Sequence, residues 1–299
     1  MSDTVTETRS TEDVSRRLLE SAAKLSYDPA VEVDWDAPLA PGLHGLNPEW
    51  STLYGTALWD RMSEEQRVTL TRHEVASIMS TGIWFEMILQ QMVLREQYGK
   101  NPGTSEFQFA LTEVADECRH SIMFARACQK MGIAAYSPKR SVLELGRLFK
   151  SLAVAEVAYA SILVAEEVLD LMQRDAMRGE NVLPLVRTTS RIHVVEESRH
   201  MRFARAEVRD RLRDAGPARR ATSAVSVALV AYFIVTSMVN EDVYTAAGLD
   251  AREAVKAARG NEHHAAMMRS GAANLVKFLG EVGLLTRPAM SVYRRINLI

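Results

Sequence analysis

Along most of this chain apolar residues recur every three or four positions with polar residues between them, the period of an α-helix that buries one face. Strand-like alternation with a period of two is nowhere sustained. Pro102, Pro138, Pro184, Pro217 and Pro288 separate long proline-free runs, and glycine follows nearly every run. Proline is tolerated at helix starts and glycine suits the left-handed residue past a helix end. This punctuation predicts a first long helix from Ser63 to Gly99, opened by a Ser63–Gln66 capping box and bent at Gly82. A second is expected from Ser105 to Gly132, a third from Pro138 to Gly179, and a fourth from Asn181 to Gly216. A fifth follows from Ala218 to Gly248, then shorter helical pieces over 250–285. Residues 1–16 read as disordered within a flexible tail over 1–27, and 28–60, with Trp35, Trp50 and Trp59, as an irregular arm laid over helices. The expected fold is all-α: one domain over 28–299, a four-helix bundle at about 63–215 covered by C-terminal helices.

Residues 221–239 carry no charge over 19 positions, long enough to span a bilayer. Five of those 19 are Ser or Thr, and Arg219, Arg220, Glu241 and Asp242 bound the stretch, so a helix buried in a large core is the better reading and no membrane partner is expected. Composition adds little beyond exclusions. Lys and Arg number 36 against 38 acids, a net charge of −2 that gives no footing for nucleic acid. The polar, acidic N-terminus has no apolar stretch typical of a secretory signal, and Cys118 and Cys128 are too few for a disulfide framework. Together these point to the cytoplasm.

Chemistry is carried by a repeat. Residues 113–120 read EVADECRH and 193–200 read HVVEESRH, 80 positions apart, with Glu117/Glu197, Arg119/Arg199 and His120/His200 identical and Asp116/Glu196 similar. Each copy holds Glu-x-x-His, whose carboxylate and imidazole share a helix face and can bind one ion. Alone such a pair is weak. Glu86, however, stands 31 positions before Glu117 on an apolar face with Met79, Ile83 and Val93, and Glu166 stands 31 before Glu197. One register relates all six, and it selects Glu166 over Glu167. Two carboxylate–histidine pairs plus one Glu from each remaining helix build a di-iron or di-manganese site in helical bundles. The plain alternative is a solvated helix face, accepted for Glu64, Glu65, Glu96, Glu180 and Glu207. For the register residues it would bury unpaired charge.

His193 breaks the symmetry, since its counterpart is Glu113; it shares the face of Glu197 and His200 and reads as a seventh ligand. Glu113 reads as a residue at the edge of the site. Four carboxylates cancel two ferrous ions, and oxygen and nitrogen donors without thiolate suit iron or manganese. Cys118 and Cys128 read as small core residues, His263 and His264 as surface or packing residues, and His44 and His73 lack a metal-spaced partner. An apolar pocket beside the cluster is expected, lined by Ile83, Tyr159, Ile162 and the alanine-rich stretches.

With these motifs in view the chain resembles the p-aminobenzoate N-oxygenase type of di-iron oxygenases. The likeness runs from about 33 to 285, through DWDAPL at 34–39, LYGTALWDRMSEEQR at 53–67, the IWFE that contains Glu86, and RIHVVEESRH at 191–200. The resemblance implies a ferritin-like bundle and a seven-ligand, three-histidine site at Glu86, Glu117, His120, Glu166, His193, Glu197 and His200. It further implies two Fe ions, O₂ as co-substrate, an external electron donor, and a homodimer. The implied reaction oxidises an aromatic amine toward hydroxylamine, nitroso or nitro products through a peroxo-diferric species. A C–H hydroxylase or desaturase, and a ferritin-like iron-binding protein, are the rivals.

Overall fold

A computed structural model describes residues 10–153 and 155–299, and among these no strand forms. Helix α1 spans Thr11–Lys24 and α2 Pro29–Glu32; a 3₁₀ turn at Pro48–Trp50 and α3 at Ala57–Arg61 follow. The long helices are α4 (Glu64–Gln97), α5 (Ser105–Lys130), α7 (Ala155–Ala176) and α8 (Pro184–Leu212), with α6 (Arg140–Leu152) between α5 and α7. Beyond them lie α9 (Pro217–Ser237), α10 (Asp242–Ala246), α11 (Ala251–Arg259), α12 (Glu262–Glu281) and α13 (Arg287–Arg295). The fold is all-α, as expected. In the bundle α4 packs along α5 and α7 along α8, so the two halves of the 80-residue repeat are two helix pairs. Around them α12 lies on α7, α9 on α7 and α13, and α10 on α4.

Local chemistry sets the helix starts. Ser63 and Gln66 form both halves of the capping box of α4, Thr104 caps α5 through Phe107 N, and Pro184 and Pro217 open α8 and α9. Four expectations need correction. Residues 11–24 of the expected flexible tail form α1, which buries Thr11, Ser15, Leu18 and Ala22 against α5 and α8. The expected third helix is two, because the Arg95 guanidinium of α4 donates to the carbonyls of Lys150 and Ala153 and so ends α6. The expected fifth helix stops at Ser237, where Ser77 donates to Met238 O and accepts from Asn240 N. And α4 runs unbroken through Gly82.

The arm over 28–60 carries short helical turns and docks with Leu46, Trp50 and Leu53 buried. Trp50 Nε1 donates to Asp175 Oδ2 at 3.0 Å, and His44 pairs with the loop before α8 through Asn181 O and Leu183 N. Helix α9, long and apolar enough to cross a membrane by length and composition, instead buries one face, with Ala224, Val227, Ala228 and Ala231 inward and Leu229 exposed. The expectation of a helix buried in the core therefore holds for that face alone.

Candidate metal centre

Seven buried side chains converge between the helix pairs: Glu86 from α4, Glu117 and His120 from α5, Glu166 from α7, and His193, Glu197 and His200 from α8. Donor atoms of Glu86, His120 and His193 lie within 4.8 Å of one another, as do those of Glu117, His120 and Glu197, those of Glu166, His193 and Glu197, and those of Glu117 and His200 together with Glu113. All seven residues expected from sequence are among these. The apolar faces around Glu86 and Glu166 are what carry these carboxylates inward, since i, i+3 and i+4 neighbours on one face pack into the same core.

Every imidazole is held from outside the cluster. His120 Nε2 donates to Glu196 Oε2 at 2.7 Å, and His200 Nε2 to Asp116 Oδ2 at 3.2 Å. Each acceptor comes from the opposite helix of the α5–α8 pair, so the two contacts mirror each other. His193 reverses the ring, giving Nδ1–H to Gln173 Oε1 at 2.7 Å. An acceptor on the outer nitrogen keeps a proton there, so the inner nitrogen is the one that can give up its proton and turn a lone pair to a metal. Inside, His120 Nδ1 lies 3.2 Å from Glu197 Oε1, and His200 Nδ1 lies 3.0 Å from Glu197 Oε2 and 3.2 Å from Glu117 Oε1. His193 Nε2 stands 3.8 Å from Glu86 and 3.7 Å from Glu197.

Electrostatics follow from burial and crowding. Burial, then the like charges of Glu197, Glu117 and Glu86, pushes Glu166 well above the usual carboxylate range, and burial raises Glu86 as well. Burial opposes ionisation of Glu197 too, but the His200 and His193 charges outweigh it and hold that carboxyl well below its ordinary value. For His120, burial favours the neutral ring, yet hydrogen bonds to Glu117, Glu196 and Glu197 push it well above the imidazole range, and His200 behaves alike. Glu117 Oε1 and Glu197 Oε1 stand near imidazole nitrogens but outside hydrogen-bonding geometry, while their Oε2 atoms bond His120 and His200, and both oxygens of Glu113 are buried without a partner. Orphaned buried carboxylate oxygens beside pre-oriented imidazoles are what a hard or borderline cation requires. The donor set fits iron.

A family model described as p-aminobenzoate N-oxygenase AurF matches residues 8–283 of this chain. The chain belongs to the AurF family. That membership is consistent with the ferritin-like di-iron superfamily. Curated relatives include the uncharacterized proteins Rv0885 of Mycobacterium tuberculosis and Mb0909 of Mycobacterium bovis, each 25% identical over 203 residues, or 65% of this chain. The chain spans 59% of the length of these relatives.

Several residues around the AurF-type cluster differ from their sequence reading. Asp116 and Glu196 aligned in the repeat without a role; they are the outer partners of His200 and His120. The signal was there, since each immediately precedes a site glutamate in the shared register. Arg199 braces both, at 3.6 Å from Asp116 and 3.7 Å from Glu196. Gln173, which holds His193, has Val93 as its counterpart 80 positions earlier, and so breaks the symmetry together with His193. Glu207 is buried and salt-bridged to Arg211 at 2.9 Å rather than solvated. Cys118 is exposed rather than in the core, while Cys128 is buried. Glu167 pairs with Arg205, apart from the cluster. His73 bonds Tyr136, His44 bonds Thr71 and Glu64, and His263 bonds Glu49 O, all outside the centre.

Two cavities adjoin the site. One of about 50 Å³ contains Glu86, Glu166 and His193. Another of about 470 Å³ lies between α4, α6, α7 and α9 and is lined by Ile162, but not by Ile83 or Tyr159, which had been expected there. Tyr159 is instead buried, with its hydroxyl accepting from Gln97 Nε2 at 3.2 Å.

Proposed function

We propose that this chain is a monooxygenase that transfers one oxygen atom of O₂ to the nitrogen of an aromatic amine. The carrying observation is the convergence of seven buried donors with every imidazole already oriented from outside. Glu86, Glu117, His120, Glu166, His193, Glu197 and His200 would hold two iron ions. Bound there, the metal pair supplies dioxygen activation for delivery to nitrogen.

The chain's own residues supply the rest. Glu196, Asp116 and Gln173 hold the three rings so that each presents one nitrogen inward. Glu113, pushed up to about 8 by burial, stands within reach of Glu117 and His200 at the edge of the cluster. Phe85, Phe124 and Ala165 wall the small cavity and exclude water from the reacting end of the substrate. The amine nitrogen brings a lone pair, so oxygen transfer needs no C–H bond to break. Per turnover an amine, O₂, two electrons and two protons give a hydroxylamine and water, with an external electron donor as reductant. We further propose a homodimer working in the cytoplasm without nucleic acid or membrane.

The test exposes reduced, iron-loaded protein to labelled dioxygen with a panel of aromatic amines. N-oxygenated product carrying the label is the expected result. Oxidation of an acyl chain or an unactivated C–H bond, with every amine untouched, would show a hydroxylase or desaturase on the same bundle. Iron uptake into a many-subunit shell without substrate oxidation would show a storage protein.

A further inference from the structure

The larger apolar cavity holds none of the candidate ligands, yet it shares Phe85, Ala165 and Ile234 with the small cavity containing Glu86, Glu166 and His193. At about 470 Å³ it falls within the range of roughly 300–1,000 Å³ that takes drug-sized molecules, larger than a single ring. Among the described residues no Asp, Glu, Lys or Arg lines it, and those of the small cavity are Glu86 and Glu166. Cations on neighbouring stretches are committed: Arg219 makes a two-pronged contact with Glu156 at 2.8 Å, and Arg95 is bound to the carbonyls that end α6. Its polar groups are hydroxyls, three of them already donating: Ser161 to Val157 O, Thr222 to Ala218 O and Ser223 to Glu156.

We propose that this cavity holds the body of the substrate, and that the substrate is an extended, uncharged, mainly apolar amine rather than a carboxylated ring. The proposal rests on the N-oxygenation reading for the reacting end alone. A carboxylate placed here would be desolvated with no cation to pair it, the costliest kind of burial. An alkyl or aryl body meets side chains of its own kind, and its amine end reaches the donor cluster past Phe85, Ala165 and Ile234. A rival lies on the other side: a cavity of about 330 Å³ that shares Leu46, Ile78, Leu169, Met172 and Met238 with the small one. Its wall carries Arg259, Arg295 and Glu241, chemistry for a charged ligand.

Calorimetric titration of the iron-loaded protein without oxygen separates these routes. The probes are para-octylaniline, aniline and para-aminobenzoate. Para-octylaniline is expected to bind at least about tenfold tighter than either of the others. Ser226→Phe, which fills the apolar cavity, should weaken it at least about tenfold, and Thr236→Phe, in the rival cavity, should leave it within about twofold. Thr222→Phe, at the exposed rim, does the same job if Ser226→Phe disturbs α9. Tighter binding of para-aminobenzoate, no binding of para-octylaniline, or loss of it in Thr236→Phe alone overturns the proposal. Admitting oxygen then tests the reaction separately. An amine that binds as expected and is never N-oxygenated overturns the proposed activity and leaves the cavity assignment standing.

Discussion

A carboxyl group on α4, Glu74, accepts from the amide and hydroxyl of Thr52 at 2.9 and 2.5 Å, and burial still pushes it from its ordinary 4.5 up to about 7. The folded chain therefore binds this proton more tightly than the unfolded chain. Below about pH 4.5 both states are protonated and Glu74 costs nothing; from there to about 7 stability falls, and above about 7 the full penalty applies. Glu74→Gln should remove that slope and stabilise the fold at pH 8 by up to roughly 3 kcal/mol relative to wild type, with little difference at pH 4. Urea unfolding of both proteins at the two pH values checks it; parallel curves would refute it. The candidate ligands call for a graded series. Glu117→Ala or Glu197→Ala should drop iron well below two per chain with helicity kept, and Asp116→Ala or Glu196→Ala should cost about 10–100-fold in iron affinity. Full loading of all four variants would remove the metal assignment. The ligand register was legible because one spacing relates residues on two helix pairs. The outer partners were not, because Glu196 meets His120 across the helix interface and nothing local announces such a contact.

Helix boundaries show the same division. Starts were legible where the deciding group lies within one turn, as with the Ser63–Gln66 box and the prolines at Pro184 and Pro217. The ends of α6 and α9 were not, because Arg95 and Ser77 take up their carbonyls from α4, far away in sequence. Helix α6 itself buries no residue fully, and its Leu145, Leu148 and Leu152 line the larger apolar cavity while staying exposed to solvent. It lies close on α4 because Gly146 has no side chain: a Cβ there would stand 2.8 Å from Ile88 Cδ1 and 3.0 Å from Trp84 Cζ3. Gly146→Leu should overpack that contact by roughly 1–3 kcal/mol and loosen α6 alone. Limited proteolysis should cut within 140–152 faster than in wild type while the main thermal transition moves little. Equal cutting rates would mean that α6 is held by more than this contact.

At the scale of the whole molecule, the segment expected to be a flexible tail reaches the candidate metal centre from outside. Helix α1 packs on both α5 and α8, the two helices that carry the Glu-x-x-His pairs. Its end delivers backbone groups to the groups bracing the imidazoles: Arg199 Nη1 donates to Leu25 O at 2.9 Å, and Tyr27 N donates to Glu196 Oε1 at 3.0 Å. Through Glu196 that contact continues to His120 Nε2. Amphipathic pattern alone did not reveal this, because α1 is strongly polar and buries only a narrow stripe. Removing residues 1–27 should therefore leave the bundle folded, since of this segment only Leu18, with Val14, Leu19 and Tyr27 against it, joins the common core, but expose Glu196 and Arg199 to water. Water would then compete for the carboxylate that orients His120, and disturbed outer partners typically cost 10–100-fold in metal affinity. The truncated chain is expected to keep its helicity and to need at least about tenfold more free iron for half-loading, read by titration against a competing chelator. An unchanged loading curve would show that α1 covers the centre without bracing it.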